Sequence, residues 1–247
     1  RGLGDVYKRQ CENYPKPALD CAMNFLSTHD TERGITAIAG EPANGRDRYW
    51  QSKRMIPGDR IDDALRRVLL AYAMLYTLPG VPCVYYGDEI GMRYLPLPTK
   101  EGGYFRTGSR TPMQWDNSAN KGFSTAAADK LYLPVDDAAD APTVAAQQAD
   151  PDSLWHTVQG VLNFRHSHRD LDSDAPFHVR FAPKAKGSYR PFAWERGKLI
   201  CAVNPAREEA ELPLKLEDGT RVLHVIGKAE VKGDELVLGA QSFAILG

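Results

Sequence analysis

Two pairs of ionisable side chains stand out in the sequence because each pair follows a short apolar run. His29 and Asp30 come after the run NFLS, and Asp88 and Glu89 come after the run VPCVYY. Short apolar runs bounded by polar or turn residues are typical of buried strands in a parallel sheet. Active sites of such sheets lie at the carboxyl ends of the strands, where carboxylates can stabilise positive charge or exchange protons. From the pattern alone, a helix cap at Asp30 and a solvated loop residue at Glu89 are equally good interpretations.

The clearest helix of the sequence lies between the two apolar runs. Apolar side chains recur at helical spacing from Ile61 to Leu75, and Asp62 favours a helix start because carboxylates complement the positive end of the helix dipole. Pro79 and Gly80 are expected to end this helix. The order strand, helix, strand predicts a βαβ unit with a right-handed crossover, so both acidic pairs fall at the same edge of a parallel sheet.

The second half of the chain has a different pattern. A second helix is predicted to open at Asp150, with Pro151 as its first helical residue. After about Asp174, short alternating runs separated by turn pairs predict a small antiparallel β domain of sandwich type. The predicted strands are residues 191–195, 198–204, 210–216, 221–226, 235–238 and 241–246.

Composition excludes several classes of function. The chain has 247 residues, and its 31 Lys and Arg against 32 Asp and Glu give a net charge of -1, which provides no basic surface for nucleic acid or an anionic membrane. No apolar run approaches the roughly 20 residues of a membrane helix. The 4 Cys show no CxxC spacing, and no D-x-D-x-D loop is present, so no metal site is predicted. The cysteines are expected to be free or small buried side chains.

Three segments, in order, resemble glycoside hydrolase family 13, the α-amylase family. Residues 23–33 (MNFLSTHDTER) resemble its seventh barrel strand, which ends in an Asn/Ser/Thr-His-Asp triplet. Residues 78–92 (LPGVPCVYYGDEIGM) resemble the eighth-strand segment, with the pattern G-x-P-x-x-Y-Y-G-x-E. Residues 109–116 (SRTPMQWD), followed by Gly-Phe-Ser, are similar to the α-glucosidase and oligo-1,6-glucosidase branch and to trehalose synthase.

The resemblance implies a role for each residue of the first motif. Asp30 matches the carboxylate that hydrogen-bonds the sugar 2- and 3-hydroxyls and stabilises the oxocarbenium-like transition state. His29 matches the neighbouring histidine, which positions the same sugar and transfers no proton; a core histidine is the structural alternative. Arg33 completes the pattern H-D-x-x-R and is predicted to be one of the substrate-binding residues, with a surface loop cation as its alternative.

The resemblance also implies contacts to the sugar from the later motifs. Arg110 is expected to contact substrate, or else to anchor its loop by pairing with a carboxylate. Glu89 and Tyr86 are expected to form the floor of the sugar site, or else a buried polar network. Aromatic rings that could face a sugar, or fill the core, are Trp115, Tyr104 and Phe105.

The fold implied is α/β: the C-terminal part of a (β/α)₈ TIM barrel followed by a small antiparallel β-sandwich domain. Residues 1–10, which contain DVYKRQ, are interpreted as a non-native segment, residues 11–173 as strands seven and eight of the catalytic barrel with their helices, and residues 174–247 as the β domain. The nucleophile and general acid of the family lie on strands four and five, upstream of this chain, so the chain alone is expected to be inactive. Uncovered sheet edges predict poor solubility of the barrel part.

The resemblance implies a retaining α-glucan hydrolase of the α-glucosidase type that cleaves malto- or isomalto-oligosaccharides. A transglycosylase or a trehalose-synthase-like isomerase, and a non-catalytic relative that binds carbohydrate or a protein partner, are the alternatives. An oligosaccharide is the expected partner, with no nucleic acid and no membrane. No cofactor is expected, and the ligands of the calcium that some relatives bind would lie N-terminal to this chain. The balanced charge and sparse cysteines favour a cytoplasmic location.

Overall fold

The structure, a computed structural model, describes residues 13–39, 60–98, 100, 106–182 and 191–247. Its helices are α1 (Lys16–Asp20), α2 (Gly34–Ala39), α3 (Ile61–Thr77), α4 (Val144–Ala149) and α5 (Leu154–Ser167). Its strands are β1 (Met23–Asn24), β2 (Val81–Pro82), β3 (Phe177–Phe181), β4 (Phe192–Arg196), β5 (Leu199–Asn204), β6 (Ala210–Leu212), β7 (Val222–Ile226), β8 (Ala229–Lys232), β9 (Glu235–Leu238) and β10 (Ser242–Leu246).

The two apolar runs pair as parallel strands, with α3 between them in the chain. Met23 of β1 lies opposite Val81 of β2, and the ladder ends where Cys83 N donates to Asn24 O at 2.7 Å. Each strand has only two residues, so the longer strands predicted up to residues 27 and 86 are wrong at their C-terminal ends. Pro82 lacks an N–H for the ladder, and the paired strand ends at this residue.

Helix α3 buries a row of side chains along its length, and arginines cap carbonyl oxygens at its end. The row consists of residues four apart, Ala64, Val68, Tyr72 and Tyr76, and the C-terminal half of the helix buries further side chains beside it. The carbonyl oxygens at the end of a helix have no partner within the helix. Here the buried Arg165 donates from Nη1 to Tyr76 O at 2.7 Å, and the buried Arg196 donates from Nη1 to Thr77 O at 2.7 Å. Two cations therefore satisfy the negative end of α3.

The chain divides into two compact units, of which the first comprises residues 1–24, 70–83 and 160–247. This unit contains two antiparallel sheets, one in the order β3-β4-β5-β10-β7 and one in the order β6-β9-β8. Successive residues of the larger sheet enter different cores. Phe243 and Ile245 pack with Leu70 and Trp194, whereas Ala244 and Leu246 pack with leucines of the smaller sheet. Both faces of β10 are thus covered, which explains why all its residues are buried.

Each of the six runs predicted as strands contains a strand, although the strand in 210–216 ends at Leu212. The strands β3 and β8 were not predicted. Their sequences, FHVRF and AEVK, alternate apolar with polar side chains over only five and four residues, and both strands lie at the edges of their sheets. Short strands with charged side chains are common at sheet edges, and so brief an alternation is a weak signal in the sequence.

The second unit comprises residues 25–69 and 84–159, and its apolar cluster contains Ile90, Met92 and Met113. Helix α5 begins in this unit at Leu154, so the predicted start at Asp150 is wrong. Ser153 is the residue that precedes the helix, and its Oγ accepts from His156 N at 3.4 Å. Asp150 instead accepts from Asp152 N at 3.0 Å in a turn, and the separate helix α4 ends just before it.

Candidate functional site

Asp30 lies in a polar turn that follows β1, and two arginines hold its carboxylate. Arg106 Nη1 lies 2.7 Å from Asp30 Oδ1, and Arg110 Nη2 lies 2.9 Å from the same oxygen. The turn itself is closed by Thr28 N, which donates to Thr31 Oγ1 at 2.9 Å. The Asp30 side chain remains 52% exposed, so the carboxylate is positioned by its partners and still open to solvent.

The electrostatic surroundings of Asp30 favour its ionised form. Partial desolvation raises its pKa, but the hydrogen bond from Arg106, the attraction of His29 and Arg106, and the hydrogen bond from Arg110 together lower it below the ordinary value of 3.8. His29 Nε2 lies 3.4 Å from Asp30 Oδ2, and the imidazole is 65% exposed. The interpretation of His29 as a core histidine is therefore wrong, and the ring is accessible to a ligand.

One of the two roles predicted for Arg110, the anchoring of its loop, is present in the structure. Arg110 Nε donates to His29 O at 2.9 Å, and Nη2 binds the Asp30 carboxylate. It also lines a cavity of about 420 Å³ together with Tyr86 and Glu89. Arg110 consequently joins the Asp30 turn to this cavity.

Arg33 is fully buried, so the interpretation as a surface loop cation is wrong. Its guanidinium carbon lies 4.6 Å from the ring centroids of both Tyr85 and Tyr86, and Nη1 donates to Tyr86 O. The same nitrogen lies 3.7 Å from Asp88 Oδ1. Arg33 is therefore a buried cation between aromatic rings and a carboxylate, and it packs beneath the segment that contains Tyr86.

The acidic pair after β2 lies within a single 3₁₀ turn, Asp88–Ile90, and its two carboxyl groups have different surroundings. Asp88 is buried and accepts a hydrogen bond from Ser27 Oγ, whereas Glu89 lines the cavity. The turn starts after Gly87, whose φ of 84° lies in the left-handed region that favours glycine. A Cβ at this position would meet the side chain of Met92, which would have to shift. Desolvation is the main reason that the pKa of Glu89 is raised, which favours a neutral carboxyl more than at an exposed site.

Two tyrosine hydroxyls attach the Arg110 loop to the end of the second strand. Tyr85 Oη donates to Ser109 O at 3.0 Å, and Tyr86 Oη donates to Thr111 O at 2.8 Å. These bonds flank Arg110 on both sides. Tyr85 and Tyr86 thus position Arg110, which binds Asp30. Tyr86 also forms part of the cavity wall.

The cavity is lined mainly by apolar and aromatic groups. Its polar contributions come from Glu89 and Arg110, and three exposed aromatic rings surround them: Trp115, Phe123 and Tyr132. Four further residues complete the wall: Pro112, Met113, Leu131 and Leu133. Trp115 is one of the predicted ring faces, while Tyr104 and Phe105 lie outside the described residues.

The predicted site residues fall into two linked groups and one supporting residue. His29, Asp30 and Arg110 form the first group, and Tyr86, Glu89 and Arg110 the second. Arg106 was not predicted, although it contacts Asp30 directly. It lies four residues before Arg110, and nothing in the local sequence distinguishes it from an ordinary loop cation.

Within the described residues, no three His, Cys, Asp or Glu side chains come together as ligands for a metal ion. Among the helices in the same ranges, none combines the length and apolar composition needed to cross a bilayer. The three cysteines within these ranges, at positions 21, 83 and 201, are free.

A family comparison covers the whole of this site. Residues 4–174 match the family model described as "Alpha amylase, catalytic domain". That range contains both parallel strands, the Asp30 turn and the Arg110 loop.

Proteins of similar sequence include enzymes and an amino acid transporter heavy chain. The chain is 38% identical over 172 residues to a trehalose synthase/amylase TreS of Mycobacterium tuberculosis, covering 65% of this chain and 27% of that protein. It is 31% identical over 172 residues to a probable alpha-glucosidase of Rhizobium meliloti, covering 64% and 30%. It is 33% identical over 146 residues to the amino acid transporter heavy chain SLC3A1 of Rattus norvegicus, covering 56% and 20%. The chain thus spans about a fifth to a third of these relatives.

Solved structures of trehalulose synthase MutB variants have a similar fold. One matches with a TM-score of 0.69 at 20% identity, covering 100% of this chain and 46% of that chain. Another, in complex with Tris, matches with a TM-score of 0.68 at 20% identity, covering 92% and 43%. At this identity the likeness concerns the fold alone.

Proposed function

Since the chain belongs to the α-amylase catalytic-domain family, we propose that it is part of a retaining glycosidase that acts on α-glucosidic bonds of malto- or isomalto-oligosaccharides. One observation carries the proposal: the Asp30 carboxylate is held by Arg106 and Arg110 beside the exposed His29. A shared arginine joins this carboxylate to a cavity of about 420 Å³, which lies in the roughly 300–1,000 Å³ range of ligand sites.

In the proposed reaction Asp30 is the transition-state stabiliser. Asp30 is anionic at neutral pH, since its pKa lies below the ordinary 3.8, and it can accept hydrogen bonds from two sugar hydroxyls and attract the positive charge that develops on the ring. His29 donates to a sugar hydroxyl and orients the ring. Arg110 contacts the sugar and holds Asp30, Glu89 and Tyr86 line the floor of the site, and Arg33 supports Tyr86 from below.

Retaining hydrolysis also needs a nucleophile and a general acid roughly 5 Å apart. No segment of this chain resembles either of the family's two segments, and we propose that both groups belong to a part of the polypeptide not included here, so the chain alone does not turn over substrate. In the same proposal, residues 11–173 form part of a (β/α)₈ barrel and residues 174–247 form a β-sandwich domain. The non-native origin of residues 1–10 and the cytoplasmic location stay predictions.

A related activity is the second candidate. A transglycosylase or a trehalose-synthase-like isomerase would use the same carboxylates but pass the glucosyl group to a sugar and not to water. The similarity to trehalose synthases and the mainly apolar cavity favour it. A non-catalytic role is the third candidate, favoured by the similarity to a protein named as an amino acid transporter heavy chain, and the test below separates it from the other two.

The test is turnover by the complete protein that contains this chain. Maltose and isomaltose are supplied, and NMR of the products distinguishes free glucose from a rearranged disaccharide. Asp30→Asn is expected to lower kcat by about 10²–10³-fold, the usual effect of removing one electrostatic stabiliser, at an unchanged melting temperature. Asp129→Asn is the matched control, because that carboxylate is exposed and forms an ion pair with the neighbouring Lys130. Near-normal turnover by Asp30→Asn removes Asp30 from the mechanism, and absence of any turnover by the wild type favours the non-catalytic role.

A further inference from the structure

We propose that the contact between α5 and the edge strand β7 is a pH-sensitive joint, which loosens in mildly acidic solution when His224 takes up a proton. The contact lies within residues 160–247 of the first compact unit, and the inference does not rest on the proposed function. β7 is the last strand of the larger sheet and pairs there with β10. Because an edge strand has a neighbour on one side only, its position depends strongly on what packs against its face.

The ladder that holds β7 is interrupted next to His224. Ile245 of β10 lies opposite His224, whereas the following residue, Leu246, lies opposite Val222. Leu223 is therefore an extra residue in β7, and it forms a bulge that disrupts the regular pairing. The position of β7 at His224 consequently depends on side-chain packing as well as on the ladder.

The His224 imidazole packs on α5 against two residues that are four positions apart. Its ring centroid lies 5.6 Å from that of Phe164, at an interplanar angle of 49°. A Cβ at Gly160 would lie 3.5 Å from His224 Cε1, so the ring lies directly on the helix surface there. Its Nε2 is buried and has no hydrogen-bond partner among the described residues. The imidazole therefore fits this interface as a neutral ring.

Protonation would place an unpaired positive charge in the interface. An imidazolium carries an N–H on both ring nitrogens, and the N–H at Nε2 of His224 would be buried without an acceptor. A buried donor without a partner is costly, and a buried charge without a partner is more so. The elements around the ring offer no counter-charge, since the sequences of α5, β7 and β10 contain no Asp or Glu.

The other titratable and charged groups around the joint do not neutralise an imidazolium. His168 stacks on the same Phe164 ring with centroids 3.9 Å apart, and a histidine can only add positive charge. The remaining groups on neighbouring elements are His156, Arg165 and His166 of α5, Arg221 just before β7, and Glu230 and Lys232 of β8, which pair with each other at 3.4 Å. Desolvation lowers the pKa of His224 below the ordinary 6.5, and no charge within the described residues opposes this. The stability of the folded joint is therefore intact above about pH 6.5 and is lost as the pH falls through the folded-state pKa.

The joint is connected to the capped end of α3. Phe164 is followed by Arg165, which donates to Tyr76 O at 2.7 Å and to Gly80 O at 3.1 Å. A movement of α5 relative to β7 would therefore be passed on to these two carbonyls. The last turn of α3 is the next element that we expect to respond.

The test is hydrogen exchange of the complete protein that contains this chain, read by mass spectrometry and corrected for the intrinsic exchange rate. Protection of the β7 peptide is expected to fall by about tenfold between about pH 7.5 and about pH 5 in the wild type. His224→Phe keeps a ring that can pack on Phe164 but takes up no proton, so its β7 peptide is expected to stay protected. His178→Phe is the matched control, because this histidine is exposed on β3 of the same sheet, and it should respond to pH as the wild type does.

Each outcome decides for or against the joint. Protection of β7 that is independent of pH in the wild type, or that falls equally in His224→Phe, overturns the proposal. An equal loss of protection in β4, β5 and β7 shows global acid unfolding and overturns it as well. If His224→Phe does not fold, His224→Leu takes its place, and an NMR titration of the wild-type histidines decides independently. A His224 that titrates clearly below 6.5 supports the joint, and one that titrates at 6.5 or above overturns it.

Discussion

Replacement of Arg165 by methionine tests whether one buried cation stabilises the end of α3. Arg165 is 8% exposed and donates from Nη1 to Tyr76 O at 2.7 Å and from Nη2 to Gly80 O at 3.1 Å. A third contact, to Leu78 O, is longer at 3.4 Å. Arg165→Met has a similar apolar length but no donor, so these buried carbonyls would lose their partner.

The size of the effect follows from the two shorter bonds. A hydrogen bond from a charged donor contributes about 1.5–3 kcal/mol, so two such bonds amount to about 3–6 kcal/mol. Part of this is offset, because burial of the guanidinium also carries a desolvation cost that methionine avoids. We therefore expect Arg165→Met to lower the free energy of unfolding by about 2–4 kcal/mol, a large part of the roughly 5–15 kcal/mol of an ordinary domain. Arg165→Lys keeps the charge and is expected to lose about half as much.

The measurement is urea-induced unfolding followed by circular dichroism and tryptophan fluorescence. His166→Ala is the matched control, since His166 lies at the same end of α5 but is exposed. A cation that only complements the helix dipole contributes about 0.3–1 kcal/mol, and the control is expected to lie in that range or below. If Arg165→Met is no more destabilising than His166→Ala, the hydrogen bonds to the end of α3 contribute nothing measurable and the reasoning fails.

Three further predictions concern the site, a turn and a thiol. Arg106→Gln removes the largest favourable contribution to ionised Asp30, so a ¹³C NMR titration should find the pKa of this carboxyl raised toward 3.8. Because the folded-state pKa is lowered, the ion pair stabilises the folded state above pH 3.8, and this stabilisation is lost as the pH falls through the folded-state pKa. An unchanged titration would show that Arg106 does not act on it. Gly87→Ala should lower the free energy of unfolding by about 1–3 kcal/mol more than Gly219→Ala, since both positions have left-handed φ but only the first would place a Cβ against a methionine sulfur. Equal losses in denaturation would exclude the clash. Burial raises the pKa of Cys201 to about 12, so its thiol should resist alkylation at pH 8 in the folded chain and react only in urea, and rapid labelling without urea would contradict its burial.

Much of the fold could be predicted because its strongest signals are local. The periodic apolar row of α3 and the Pro79-Gly80 stop lead to a helix that ends at Thr77. The start of α5 could not be predicted in this way, because Asp150 and Ser153 both have side chains suited to a cap. The choice depends on a tertiary contact, since the Gln147 side chain of α4 accepts from Trp155 N at 3.1 Å.

The site was predictable in its residues but not in its connections. The motif led to Asp30, His29 and Arg110, and the structure brings these three together. Arg106 was missed because its pairing partner is 76 positions away, and no local pattern records such a distance. The burial of Arg33 was missed for a similar reason, since the tyrosine rings that cover it belong to a segment more than fifty positions further along.

The cap on α3 has a consequence for biosynthesis. Arg196 donates to Thr77 O across 119 positions, so the helix that contains Thr77 leaves the ribosome well before the cation that completes it. At a translation rate of about 5–20 residues per second, this delay amounts to roughly 6–24 seconds. During that interval Thr77 O lacks its arginine donor, even after Arg165 has become available to Tyr76 O, and it must stay hydrated outside a dry core. We therefore expect α3 to fray at its C-terminal end until synthesis reaches β4.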